Sequence, residues 1–169
     1  MTKILTLLLL LASPALAQQA PAAMSPSSNL TAYALRLKPG DDLRQQLTAF
    51  VAAHHLEAGA VLTCVGSLTD VSLRLANQEN ATHYRGHFEI VSLVGTLSAS
   101  RGGHLHLAVA DSTGRTLGGH LLDGCRIYTT AEIVLGTLPA LRFTRETDPT
   151  FGYRELVIKP AGPTSPKKH

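Results

Sequence analysis

The chain has 169 residues, 44 % hydrophobic and 16 % charged, enough for one domain built around one core. Its formal net charge of +3 includes Lys3, Lys167 and Lys168 at the two ends, and what remains is 12 Lys and Arg against 12 Asp and Glu. A neutral centre without a basic cluster argues against nucleic acid as a partner, because such binding draws on Lys and Arg set against phosphates.

Met1-Thr2-Lys3 supplies one positive charge, Ile4 to Leu11 is an apolar run, and Ala15-Leu16-Ala17 is a small-x-small cleavage site. This pattern predicts a signal peptide over residues 1–17, whose apolar run is too short for a membrane-spanning helix. The mature protein is therefore expected outside the cytoplasm, in the periplasm or secreted. No later run reaches the length of a transmembrane segment. Residues 18–29, rich in Ala, Pro, Ser and Gln, are expected to form a disordered leader. One domain is expected over 30–160, followed by a solvated, disordered tail over 161–169 that holds Pro163, Pro166, Lys167 and Lys168.

Within the domain, Leu30 to Leu37 alternates as a first strand, and Lys38-Pro39-Gly40 breaks it. Asp41 is the expected helix N-cap, with Leu43, Leu47, Phe50, Val51 and His54 at helical spacing after it. After Gly59 the pattern is of strands: 60–68, 71–76, 88–97, 104–110, 116–122, 126–135, 140–144 and 153–158. Turns are expected at Thr69-Asp70, 100–103, 111–114 and Asp123-Gly124. The class is α+β, a mainly antiparallel β-sheet sandwich packed with one main helix. Ile90 to Leu97 and Ile127 to Leu135 are apolar on both faces, so each needs cover from the helix, another sheet or another subunit.

The segment from Gly102 to Leu121 reads as a hairpin. Ser112-Thr113-Gly114 suits a three-residue loop in which the glycine takes the left-handed position. Asp111 then faces Arg115, and His106 faces His120. His104, two residues from His106, shares its face. Three imidazoles converge there, with Gly118 and Gly119 leaving room beside them, and three neutral nitrogens plus water suit Zn²⁺ or a similar ion. The alternative is three ordinary sheet histidines, partly buried and hydrogen-bonded. A one-residue change in the turn would send His120 to the other face.

Glu89, Asp111 and Glu132 are the candidate general bases or supporting partners of such a site, against a structural role for each acid within the sheet. Cys64 and Cys125 permit one intramolecular disulfide in an oxidising compartment; the alternative is two isolated buried thiols. No CxxC, Gly-x-Ser-x-Gly, phosphate loop or dinucleotide fingerprint is present.

Pro39-Gly40-Asp41-Asp42-Leu43, Gly66-Ser67-Leu68, the run Gly86 to Thr96, the His-Leu-His hairpin, and Gly118-Gly119-His120-Leu121 followed by Thr130-Ala131-Glu132 together resemble the plants-and-prokaryotes conserved (PPC) domain. The match runs in order over roughly residues 30–158. The resemblance implies a mainly antiparallel sheet packed with a helix and assembled as a homotrimer. It also implies metal ligation by His104, His106 and His120 in prokaryotic members. Plant members carry an AT-hook, which this sequence lacks, and His87 stands where the plant segment has arginine.

Three functions follow as expectations. The first is an exported trimeric module that binds zinc and, on it, a small anionic ligand, or that serves protein interaction. The second is a zinc-dependent hydrolase using the same histidines. The third, a DNA-associated regulator, is opposed by the signal peptide and the neutral core. A binding role is preferred to an enzymatic one.

Overall fold

Residues 25–162 are described by a computed structural model. The expected signal peptide, most of the leader and residues 163–169 of the tail lie outside the described residues. The elements in chain order are β1 (Thr31–Leu37), α1 (Leu43–Ala53), β2 (Gly59–Arg74), β3 (Thr82–Ser98), β4 (Gly102–Ala110), β5 (Thr116–Leu121), β6 (Arg126–Thr137), β7 (Leu141–Thr147) and β8 (Arg154–Pro160).

Six strands form one antiparallel sheet in the order β1-β6-β2-β3-β4-β5, while β7 and β8 make a separate two-stranded ribbon. The sheet is closed on itself. The β2 edge that β6 occupies as far as Asp70 is taken over by β5, through Leu73 opposite Leu121 and Arg74 opposite His120. The expected mainly antiparallel sheet with one helix is thus observed, its two layers made by one curled sheet with α1 packed against it. Leu43, Leu47 and Val51 of α1 share the core with Leu68 and Leu73 of β2, Leu107 and Val109 of β4, and Leu121 of β5. Alternation explains the selection, since residues at i and i+2 of a strand point to the same face.

Several expected boundaries move: β3 begins at Thr82 and not at 88, β7 runs on to Thr147, and two further shifts have a visible cause. Thr69-Asp70 is a bulge inside the continuous strand β2, where the pairing with β3 shifts between Leu68 and Asp70. Thr69 Oγ1 bonds Asp70 Oδ2 at 2.8 Å and Arg85 pairs with Asp70 across to β3, so these polar residues bend the ladder without ending it. The helix is capped by Asp42, one residue after the expected Asp41. The Asp42 carboxylate accepts from the Gln45 amide at 3.1 Å and from the Gly124 amide at 2.6 Å, whereas Asp41 accepts from the Lys38 amide in the preceding turn.

The two cysteines are free thiols, both buried, which is the alternative the sequence left beside a disulfide. Cys64 sits on β2 opposite Ile133. The Cys125 sulfur accepts from the amide of Ser72, eight residues further along β2, well beyond the roughly 4–7 Å between Cα atoms that a disulfide spans. Burial pushes the thiol of Cys64 up to about 12 and that of Cys125 up to about 11, which leaves both protonated and unreactive.

Candidate metal centre

The β4–β5 loop closes as the sequence predicts. The Asp111 amide donates to the Arg115 carbonyl at 3.0 Å, the Gly114 amide donates to the Asp111 carbonyl at 2.9 Å, and Gly114 has φ +80°. The register follows from this loop, with Ala110 opposite Thr116, Ala108 opposite Gly118 and His106 opposite His120. Leu105, Leu107 and Leu121 point into the core. His104, His106 and His120 therefore share the outer face.

On that face the ring centroids lie 4.9 Å (His104 to His106), 5.2 Å (His104 to His120) and 5.7 Å (His106 to His120) apart. The three offer one ligand nitrogen each, all within 4.8 Å of one another, and no carboxylate or thiol among the described residues joins them at that range. His104 Nε2 and His106 Nε2 are 3.2 Å apart. Two nitrogens at about 2.0–2.1 Å from a tetrahedral zinc stand roughly 3.3 Å from each other, so the spacing already suits shared coordination. His120 Nδ1 is buried and without a hydrogen-bond partner. An orphaned nitrogen of this kind fits a ligand set better than a satisfied sheet histidine.

Electrostatics hold the rings in the form a metal needs. Burial, then the charge of Arg74 and the neighbouring His104 and His106, lowers His120 from 6.5 to about 4. His104 is lowered too, by burial first and then by Arg145 and His106. Both imidazoles are neutral at neutral pH and present lone pairs.

Gly119 has a role different from the expected one. A Cβ there would lie 2.8 Å from the Arg74 carbonyl oxygen, so the missing side chain lets β5 close onto β2 and sets His120 opposite Arg74. Gly95 does the same on the other side of β4. Its φ is +137°, and a Cβ would lie 1.9 Å from the His104 carbonyl oxygen.

The three candidate acids stand elsewhere. Asp111 Oδ1 accepts from the amides of Thr113 and Arg115 and from the Thr113 hydroxyl, closing the loop five residues past His106. Glu89 is opposite Ala110, four residues along β4 from His106 and roughly 13 Å away at about 3.3 Å per residue. Glu132 is on β6, opposite Arg36 and Val65. The acid near the histidines is Glu155, which lines one cavity of about 290 Å³ with His104 and His120. Arg74, Arg145, Tyr153 and Arg154 line the same cavity. No local pattern marks these residues, because β2 and the β7–β8 ribbon supply them from far along the chain.

The fold and the site define a small antiparallel β domain with three histidines gathered on its outer surface. The chain belongs to the Plants and Prokaryotes Conserved (PCC) domain family, which it matches over residues 24–139. A hypothetical protein from Salmonella enterica is 50 % identical and superposes with a TM-score of 0.78, covering 80 % of this chain and 97 % of that one. A metal-containing protein from Archaeoglobus fulgidus has the same fold at 22 % identity and a TM-score of 0.69, covering 79 % and 99 %. So does a protein from Ralstonia eutropha named for DNA binding, at 22 % and 0.64, covering 75 % and 91 %. Among curated relatives, a bifunctional protein GlmU from Synechococcus is 50 % identical over 146 residues, which is 85 % of this chain and 23 % of GlmU. The chain thus spans under a quarter of the curated relatives it first matches. No described helix is long and apolar enough to cross a membrane.

Proposed function

We propose that this protein is an exported, homotrimeric module that binds zinc through His104, His106 and His120 and leaves a fourth position open to a small anionic ligand. The observation that carries the reading is the convergence of three imidazoles, with ligand nitrogens within 4.8 Å of one another. Zinc in such a site acts as a Lewis acid and acidifies a bound water. The chain's own part is to hold the three imidazoles together on the β4–β5 hairpin, beside the cavity that His104 and His120 line. Trimer formation is supported by the outer sheet face, where Leu62, Val65, Val91 and Val94 are 49–57 % exposed. Val94 lies directly opposite His106, so this apolar surface adjoins the metal site.

A second reading, a zinc hydrolase, is favoured by one feature: Glu155 lines the cavity beside the histidines, where a carboxylate can take a proton from a bound water. Elemental analysis of tag-free mature protein, combined with its mass by light scattering, tests the first reading. The expected result is about one zinc per chain in a trimer. A metal-free protein that also fails to take up added zinc rules the site out, and a monomer rules out the assembly.

A further inference from the structure

The cavity that His104 and His120 line has the chemistry of an anion receptor. Arg74 approaches from the closed edge of β2, directly opposite His120. Arg145 and Arg154 approach from the facing strands of the ribbon. The Arg154 guanidinium donates to the Arg145 carbonyl at 2.8 Å, and the Arg145 guanidinium donates to the Arg154 carbonyl. Each guanidinium has five N–H donors, so this exchange fixes the two side chains across the ribbon and leaves donors to spare. None of the three arginines makes an ion pair among the described residues. Tyr153, largely exposed, adds a phenolic hydroxyl at the rim, and Glu155 is the single carboxylate there.

We infer that the cavity binds a tetrahedral dianion of the phosphate type, one oxygen completing the coordination of the metal and the others taken by Arg74, Arg145 and Arg154. This inference rests on the metal reading above. Three guanidinium charges and the two of a zinc ion face one carboxylate, an imbalance that one carboxylate ligand leaves uncompensated and a dianion meets better. Guanidinium forks match the paired oxygens of phosphate. A volume of about 290 Å³ admits inorganic phosphate or the phosphoryl end of a small ester.

The test titrates inorganic phosphate calorimetrically into the full mature protein after its zinc content has been measured. Saturable binding is expected, with acetate at least ten-fold weaker. Arg74→Gln and Arg145→Gln, which sit on different elements, should each weaken phosphate ten-fold or more when compared with wild type at one zinc loaded per chain, with the trimer mass unchanged. In cobalt-substituted protein, phosphate should shift the visible absorption as it enters the metal's coordination sphere. One zinc per chain with no phosphate binding, acetate binding equally well, or both variants binding as wild type overturns the inference and leaves the metal site standing. Absence of zinc before phosphate is added overturns the metal reading, and this inference with it.

Discussion

His106 is the most exposed of the three histidines and its side chain faces solvent, so its removal should affect the ion rather than the fold. His106→Ala is expected to lose stoichiometric zinc and retain the wild-type circular dichroism spectrum; unchanged metal content would remove the site assignment. His120 tests the electrostatics. Its folded value of about 4 lies below the ordinary 6.5, so folding favours the neutral ring. That contribution is complete above about 6.5 and is lost as pH falls towards about 4. In metal-free protein, NMR titration of the His120 ring should accordingly show it neutral at pH 5.5, with a midpoint well below the ordinary 6.5. A midpoint near 6.5 would mean that the ring is solvated and not enclosed beside Arg74.

At the scale of elements, two joints place the site. Asp42 holds the start of α1 to the turn before β6 through the amides of Gln45 and Gly124, and it is 2 % exposed. Asp42→Ala removes a helix cap and leaves the partly buried Gly124 amide without its partner, so chemical denaturation should show a loss of about 1–3 kcal/mol. The second joint is the contact of β5 with β2. Gly119→Ala forces a Cβ to within 2.8 Å of the Arg74 carbonyl oxygen, and backbone must shift to relieve it. A destabilisation of about 1–3 kcal/mol is expected, together with weaker zinc binding, because His120 is the next residue on the displaced strand. Wild-type zinc affinity in that variant would show that the histidine geometry does not depend on closure of the sheet.

For the whole molecule, the strip Leu62, Val65, Val91 and Val94 on the sheet is an exposed apolar surface available for burial in an assembly. Val65→Lys with Val91→Lys should give a monomer by light scattering that remains folded, since neither residue contributes to the core. A trimer in the double variant would place the interface elsewhere.

The sequence by itself determined what depends on neighbours along the chain. Binary alternation marked most strands, helical spacing marked α1, and the Ser112-Thr113-Gly114 loop set the register that brings His106 opposite His120. These are local consequences of a two-residue period and a single turn geometry. Tertiary structure decided what depends on closure. The bulge at Thr69-Asp70 keeps β2 continuous where turn residues suggested an end, and the distance between Cys64 and Ser72 along that strand keeps the thiols apart. The same closure sets Arg74 beside His120, while the ribbon brings in Arg145, Arg154 and Glu155. Glu89, Asp111 and Glu132, chosen for their nearness in sequence, fall outside the site, because a curled sheet makes neighbours of residues that no periodicity connects.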